Sequence, residues 1–305
     1  MTPADTFPAL PLEAWADTKQ TLHLYCQIVG KVRLGLHPRM NHWWHVPLYV
    51  SARGLTTRPV PHKGRDFEME FDFLAHHLSI RSSDGGAKEV PLGGSVADFY
   101  HAVIAGLGEL DIHPRVIARP FDESKVGSNI PFAEDTTHKT YDAEYAERFW
   151  HILVGVDGIF KTFRGRFMGK SSPVHFFWHS FDLAVTRFSG KPVDLPADAD
   201  PVTREAYSHE VISAGFWPGD DNMPEPAFYA YAAPEPAGLG ETTILPAGAW
   251  WQDLGGSSMA MYKYNDFREA SAPAGALLSF LQSTYDAGAK LGGWAADLDR
   301  GDQGG

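Results

Sequence analysis

The chain of 305 residues contains a single cysteine, Cys26, which excludes an internal disulfide. Its 26 lysine and arginine residues are outnumbered by 38 aspartate and glutamate residues, so the net charge at pH 7 is −12. Because an acidic chain is poorly suited to the phosphates of nucleic acids, we expect no nucleic-acid partner. No apolar run reaches the roughly 20 residues of a membrane-spanning helix, so we expect no membrane partner either.

Motifs that identify common enzyme classes are also missing. The sequence has no HExxH or CxxC metal motif, no GxSxG nucleophile motif and no GxxxxGK[ST] phosphate-binding loop. The N-terminal residues lack the basic and apolar segments of a signal peptide, so the sequence predicts a cytoplasmic protein. The reaction, if there is one, must therefore be inferred from individual side chains.

A repeated segment is the main positive feature of the sequence. Residues 42–60, HWWHVPLYVSARGLTTRPV, align without a gap with residues 175–193, HFFWHSFDLAVTRFSGKPV. Each segment follows a long stretch with helical apolar spacing and precedes strand-like segments and another helix. We therefore predict an α+β fold of two tandem helix–antiparallel sheet–helix units related by a pseudo-twofold axis. Trp44 and Phe177 occupy equivalent positions, so we predict that both are mostly buried.

Changes in composition predict the boundaries of the two units. Residues 1–120 form the first unit, and the polar, aperiodic residues 121–140 form a linker. Residues 141–294 form the second unit, which carries the longer loops. Residues 295–305 are predicted to be a disordered tail.

Longer stretches of the chain resemble a known family. The segments HWWHVPLYVSARGLTT, SPVHFFWHSFDLAVTRFSG, REAYSHEV and PAFYAYAAPEP are similar to sequences of the bacterial domain-of-unknown-function 5996 family. The resemblance extends from about Leu10 to Trp294. It implies a soluble bacterial protein, and it brings no activity, cofactor or catalytic residue with it.

Histidines at alternate positions mark one predicted strand of the second unit. We predict a continuous strand over residues 174–187, in which His175, His179 and Arg187 share a face because alternate residues point the same way. The candidate catalytic residues His175 and His179 would lie about 13 Å apart along this strand, too far to bind one metal ion unless the strand bends. Arg187 would clamp an anionic ligand, or cap a nearby carboxylate such as Asp182.

The next predicted strand, residues 206–214, supplies further candidate catalytic residues. Tyr207 and His209 share one of its faces, whereas Glu210 points to the other. Because consecutive strands are usually neighbours, we predict that His179 and His209 line one cavity within about 8 Å of each other, with Tyr207 or Glu210 beside them. In an enzyme the histidines would act as general bases or metal ligands, and Glu210 as their acid–base partner.

The first unit adds a second pair of histidines within an aromatic segment. On a turn that enters a strand, His42 and His45 could converge into a zinc or iron site with a third ligand from elsewhere. They could equally be structural histidines that bond to backbone or carboxylate groups. Trp44, Trp178 and Trp217 are candidate walls of a pocket for a flat or sugar-like ligand, although large aromatic residues also fill sheet cores.

These residues support two classes of function. The first is a small-molecule enzyme, with or without a metal, whose aromatic, histidine-containing pocket lies between or beside the units. The second is a non-catalytic ligand-binding or assembly protein that uses the same pocket for recognition. In either class the expected partner is a small molecule, whose identity the sequence leaves open along with the oligomeric state.

Overall fold

The structure, a computed structural model, describes residues 7–122 and 126–300 of the chain. Its longer helices flank two groups of short strands, as the periodicity of the sequence predicts. The α-helices discussed below are α1 (Leu12–Leu36), α2 (Val96–Glu109), α3 (Ala143–Gly165), α4 (Pro201–Ala206), α5 (Tyr264–Glu269) and α6 (Pro273–Leu291). The two longest, α1 and α3, precede the two aligned segments and pack against each other.

Local side-chain signals explain where two of these helices begin. At the start of α2, Asp98 N–H donates to Ser95 Oγ over 3.1 Å, and Ser95 N–H donates to the Asp98 carboxylate, which completes a capping box. Asp142 caps α3 by accepting from Tyr145 N–H at 3.1 Å. The apolar stripe that follows, which includes Phe149, is buried as its spacing predicts.

The first sheet is antiparallel and follows α1. Its strand order is β1-β2-β4-β5-β6, and β3 pairs with β4. On β4 the buried residues Phe67, Met69 and Phe71 alternate with more exposed acidic ones, as the sequence pattern predicts. The strands are β1 (Tyr49–Val50), β2 (Gly54–Thr56), β3 (Val60–His62), β4 (Arg65–Asp72), β5 (His77–Ser82) and β6 (Ala87–Pro91).

The second sheet is also antiparallel and follows α3. Its strand order is β11-β12-β10-β9-β8-β7. Helix α3 packs on β8, and α6 packs on β9 and β10. Two antiparallel sheets with packed helices confirm the α+β class. The strands are β7 (His175–Phe177), β8 (Asp182–Pro192), β9 (His209–Trp217), β10 (Ala227–Ala233), β11 (Trp250–Asp253) and β12 (Ser258–Lys263).

The edge strands β1 and β7 join the two sheets. Leu48 and Phe176 form an antiparallel bridge in which each N–H donates to the carbonyl oxygen of the other over 2.9 Å. This bridge continues the hydrogen-bonded ladder from one sheet into the other. It also brings the HWWH segment (residues 42–45), which lies a short distance before β1, against the second sheet.

The predicted continuous strand over residues 174–187 is wrong. The chain reverses in a turn at 178–181, which separates β7 from β8 and pairs His175 with Ala184. Residues paired across two strands share a face, so His175 lies on the same side of the sheet as Ala184. Arg187 lies on the opposite side, which α3 and α6 cover. We call the side of the second sheet opposite to α3 and α6 its open face.

The hairpin also changes which aromatic residues are buried. Trp44 and Phe177 keep only a minor part of their surface exposed, as the prediction that both are mostly buried requires, although neither belongs to the core. Their neighbours Phe176 and Trp178 are 0% and 2% exposed and belong to the core. The aromatic residues of the aligned segments are therefore divided between the core and the open face.

The C-terminal segment that the sequence assigns to a disordered tail is partly ordered. Residues Ala296–Leu298 form a 3-10 helix, and Asp299 bridges to Phe167. Residues 301–305 of the predicted tail lie outside the described residues. None of the helices in the described ranges combines the length and apolar character needed to cross a membrane.

Candidate functional site

The HWWH segment forms a tight turn that rests on the second unit. Residues Asn41–Trp43 make a 3-10 turn, and His42 and Trp43 have φ values of 55° and 60°. Left-handed backbone at two successive non-glycine residues costs roughly 1–3 kcal/mol each and often occurs at functional sites. Trp43 Nε1 donates to the carbonyl oxygen of Pro201 over 3.4 Å, so the turn is attached to α4. The turn directs His42 and Trp44 towards the second sheet.

The hydrogen bonds of His42 define the roles of its two ring nitrogens. His42 Nδ1 lies 3.0 Å from the carbonyl oxygen of Glu205, and a carbonyl only accepts, so Nδ1 carries the proton. Nε2 is then an acceptor, and Lys170 Nζ donates to it over 2.7 Å. Burial and the positive charge of Lys170 lower the pKa of His42. His42 is therefore a neutral imidazole that holds an ammonium group.

Lys170 lies over two aromatic rings at the edge of the open face. Its Nζ is 5.3 Å from the ring centroid of Trp44 and 5.3 Å from that of Phe188. Desolvation lowers the pKa of this amine, although the side chain is exposed. A lysine ammonium has three N–H donors, so the bond to His42 leaves donors for another molecule.

His209 completes this group, which we call the histidine–lysine cluster (His42, Lys170 and His209). The rings of His209 and His42 are 5.9 Å apart. His209 Nδ1 lies 3.1 Å from Ser208 Oγ, and the residue begins β9 on the open face. Trp44 and Phe188 form the aromatic wall of the cluster.

A row of hydroxyl groups crosses the open face beside the cluster. Tyr231 pairs in register with Ser213, and Ser213 pairs with Thr186, so the three side chains share this face. Thr186 Oγ1 and Ser213 Oγ are 2.9 Å apart, and Tyr231 Oη is 2.9 Å from Tyr207 Oη. We call these four residues the hydroxyl row. It offers both donors and acceptors to a polar ligand.

The ring of Tyr229 covers Gly215 on the open face. Gly215 makes this possible, because a Cβ atom there would lie 2.3 Å from the Tyr229 ring. The Tyr229 hydroxyl donates to the carboxylate of Asp182, which is buried. Trp217 ends β9 on the same face and is half-buried. The predicted aromatic surface is thus built from tyrosines as well as tryptophans.

A small cavity adjoins the histidine–lysine cluster. It has a volume of about 200 Å³ and is lined by residues 193–197, Arg204 and Ser208. Ser208 also contacts His209, so the cavity and the cluster share a boundary. The long loop between β8 and β9 therefore provides part of the surface around the cluster, as expected for a loop on a rigid scaffold.

The donor set for a metal is incomplete in the described part of the chain. No group of three or more histidine, cysteine, aspartate or glutamate residues there could hold a metal ion. His42 and His209 are neighbours, but the third member of their cluster is Lys170. The described residues therefore provide no complete set of ligands for zinc or iron.

The extent of the family match decides how this chain is classified. DUF5996, a family of unknown function, matches residues 7–300, which is nearly the whole chain. The chain belongs to the DUF5996 family. This confirms the resemblance seen in the sequence, and the family description assigns no reaction. No curated protein and no solved structure matches the chain.

In this DUF5996 chain one predicted site residue lies far from the cluster, and another points away from it. His179 lies in the turn before Asp182, whereas His209 pairs with Pro192 at the other end of β8. The length of β8 separates them by roughly 30 Å, so the prediction that they share a cavity is wrong. Glu210 points away from the open face, and its carboxylate lies 3.6 Å from Lys191 Nζ.

The predicted anion clamp at Arg187 is also wrong. Arg187 is fully buried, and its Cζ lies 3.5 Å from the ring centroid of Phe163 and 4.3 Å from that of Tyr285. Its Nη2 donates to the carbonyl oxygen of Phe163 over 2.5 Å, and burial lowers its pKa to about 10. Arg187 therefore packs between the sheet and the helices, away from the open face.

Two further predicted ligand-binding residues have structural roles. Trp178 is buried, and its Nε1 donates to the carbonyl oxygen of Val46 over 2.9 Å. His45 is also buried, and its Nδ1 accepts from Met40 N–H over 3.2 Å. His45 thus stabilises the HWWH turn and does not converge with His42 on a ligand.

Sequence reasoning missed Lys170 and the buried histidine His23. His23 on α1 is 3% exposed, and its Nε2 lies 3.3 Å from the carbonyl oxygen of His179. Burial lowers the pKa of His23 to about 3, and the same cause lowers that of His175 to about 3. The helical position of His23 between apolar residues was the signal that could have identified it.

These two histidines should make the protein less stable in acid. In the unfolded chain they take up a proton below their ordinary pKa of 6.5, whereas in the folded protein they stay neutral to about pH 3. Their contribution is therefore fully present above pH 6.5 and is lost as the pH falls through this window. The expected loss is about 1.4 kcal/mol per pH unit for each histidine.

Urea denaturation of His23→Gln across this pH range tests the expectation. The variant should lose stability less steeply with falling pH than the native protein. His113→Gln is the control, because its side chain is 68% exposed. A slope for His23→Gln equal to that of the native protein would refute the assignment of His23 as a buried neutral group.

Proposed function

We propose that the protein binds a small molecule at the seam between the HWWH turn and the open face of the second sheet. The observation that carries this proposal is the Lys170 ammonium, which neutral His42 holds over the Trp44 ring. An exposed cation with free donors, beside an aromatic ring and a row of hydroxyls, is suited to recognise a polar ligand with a flat part. The adjoining cavity supports the same location.

The chemistry of the seam indicates which ligand groups it would favour. Lys170 would bind an anionic or carbonyl oxygen of the ligand, since its N–H groups only donate. The half-buried Trp44 ring offers a surface for stacking a flat or sugar-like part. Tyr207 and Tyr231, at one end of the hydroxyl row, would bind hydroxyl groups of such a ligand.

Replacement of Lys170 by methionine tests the proposal. A library of small metabolites would be screened by native mass spectrometry, and the affinity of each retained compound would be measured by titration calorimetry. Lys170→Met should weaken binding of these compounds at least tenfold, which corresponds to about 1.4 kcal/mol. Lys139→Met, at an exposed lysine in the predicted linker, is the matched control and should bind normally.

Two results would contradict the proposal. In the first, no compound of the library binds the native protein. In the second, compounds bind, but Lys170→Met and Lys139→Met bind them equally well. The second result would move the binding site away from the seam.

As the second candidate function, we propose that the protein is a small-molecule enzyme whose active site lies at the same seam. It is favoured by the pairing of Lys170 with the neutral Nε2 of His42, since this nitrogen can accept a proton. An enzyme would convert a bound compound, and His42→Gln would abolish conversion while leaving part of the binding. A pure binding protein would return every compound unchanged.

We also propose that the two units are related by a pseudo-twofold axis, with the boundaries that the sequence predicts. The shared order of helix, antiparallel sheet and helix supports this relation, as does the bridge between the edge strands β1 and β7. Superposition of the two backbones, with His42 placed near His175, is the test. A cytoplasmic location and the lack of nucleic-acid and membrane partners stay predictions.

A further inference from the structure

A second group of cationic side chains lies where the two sheets meet. Arg33 of α1, Arg58 of the loop after β2, and His175 of β7 all contact the ring of Tyr49. Arg33 Cζ lies 5.5 Å from the Tyr49 ring centroid, and Arg58 Cζ lies 3.6 Å from it. The ring of His175 is 5.5 Å from the same centroid. We call these four residues the junction group.

Two buried nitrogen atoms of the junction group have no hydrogen-bond partner. Arg33 Nη1 donates to the carbonyl oxygen of Thr57 over 2.5 Å, but Arg33 Nε is unpartnered. His175 Nε2 is also unpartnered. The two residues are 3% and 1% exposed. Native proteins pair nearly all such atoms, so these nitrogens point to a partner that the chain itself does not supply.

The charge around the junction group is positive. Within the described ranges, no carboxylate forms an ion pair with Arg33 or Arg58. The charge of Arg58 acts on the carboxylate of Asp157 in α3, but Lys161 already forms an ion pair with that carboxylate. Burial, together with the charges of Arg33 and Arg58, keeps His175 neutral by lowering its pKa to about 3. An anion would compensate two arginine charges that are otherwise unbalanced.

Local hydrogen bonds fix the backbone at Arg58. Arg58 has a φ of 55°, and its N–H donates to Thr56 Oγ1 over 2.7 Å. Thr57 Oγ1 donates to the Arg58 carbonyl oxygen over 2.8 Å. The Arg58 side chain is exposed, so it gives access from solvent to a group whose other members are buried.

We propose that the junction group binds a small oxyanion, a phosphate or carboxylate group, held by the guanidinium groups of Arg58 and Arg33 with His175 Nε2 as a further partner. Planar guanidinium groups bind such anions through paired N–H donors. A neutral imidazole can donate one N–H without adding charge. Trp44 contacts both this site and Lys170, since its ring is 5.8 Å from His175 and 5.3 Å from Lys170 Nζ. The junction group has no residue in common with the histidine–lysine cluster.

Titration calorimetry with inorganic phosphate and with succinate tests the proposal on the full chain. Sodium chloride at equal ionic strength controls for general screening of charge. Arg58→Gln should weaken binding of the anion at least tenfold. Because Arg58 is exposed, this variant should keep the fold, and far-ultraviolet circular dichroism checks this.

Arg148→Gln is the matched control for Arg58→Gln. Arg148 also lies over a tyrosine, with Cζ 4.8 Å from the Tyr145 ring centroid, but it forms an ion pair with Glu144. Arg148→Gln should therefore bind the anion as the native protein does. Lys139→Met, which removes an exposed lysine outside both proposed sites, should also leave anion binding unchanged.

The outcomes distinguish a phosphate ligand from a carboxylate ligand, and both from a failure of the proposal. Binding of phosphate alone supports a phosphate-bearing ligand, and binding of succinate alone supports a carboxylate. Binding of both supports a general oxyanion site. The proposal is overturned if neither anion binds above the chloride control, or if Arg58→Gln and Arg148→Gln bind equally well.

Discussion

Replacement of Phe176 by alanine should lower the free energy of unfolding by about 3–5 kcal/mol, as measured by urea denaturation. Phe176 is fully buried, and its ring lies 5.3 Å from the ring of Phe181 and 6.2 Å from that of Phe149. Its backbone also forms both hydrogen bonds of the bridge to Leu48. Truncation would therefore open a cavity beside the junction of the two sheets.

Phe177→Ala is the matched control for this prediction. Phe177 is the next residue of β7, but it lies on the open face and is half-buried. Its truncation should lower the free energy of unfolding by less than about half as much, because less apolar surface returns to water. Equal losses for the two variants would show that the assignment of the two faces of β7 is wrong.

Replacement of Gly30 by alanine should lower the free energy of unfolding by about 3 kcal/mol. A Cβ atom at Gly30 would lie 2.2 Å from Cδ1 of the Trp178 indole. Trp178 is 2% exposed, and its Nε1 donates to the carbonyl oxygen of Val46, so the ring has little freedom to move away. Overpacking of this kind normally outweighs the gain in helix propensity.

Gly158→Ala on α3 tests whether the effect depends on Trp178. A Cβ atom at Gly158 would meet nothing within 4 Å. This variant should therefore raise the free energy of unfolding by about 0.5–1 kcal/mol, since alanine favours the helix. If Gly30→Ala were as stable as the native protein, helix α1 and the turn at Trp178 would be less tightly packed than the structure shows, and the prediction would be wrong.

The hairpin of β7 and β8 shows why one part of the fold was not predicted. Its turn is formed by Trp178, His179, Ser180 and Phe181, and none of these is glycine, proline or asparagine. Phe181 adopts a φ of 58°, which is unusual for a bulky residue. The alternating pattern therefore continued through the turn in the sequence. In the folded chain the turn divides this segment into two strands. Residues on either side of the turn therefore do not keep the faces that a single continuous strand would give them.

The histidine–lysine cluster also could not be predicted from the sequence as a group. His42, Lys170 and His209 are far apart in the sequence, and no spacing rule relates them. His42 and His209 were recognised as candidates because histidines can act as general bases or metal ligands. Lys170 has the sequence context of an ordinary surface lysine and was not recognised. Its role follows only from its distance to His42 and to the rings of Trp44 and Phe188.

The sequence by itself determined the α+β class, the family and the long helices α1 and α3. The class and the helices depend on the periodicity of apolar residues and on local caps, which neighbouring residues specify, whereas the family follows from the match over residues 7–300. Only the tertiary structure decided the faces of the hairpin, the burial of Phe176 and Trp178, and the partners of each histidine. These properties depend on strand register and on contacts between distant segments, which no local pattern encodes.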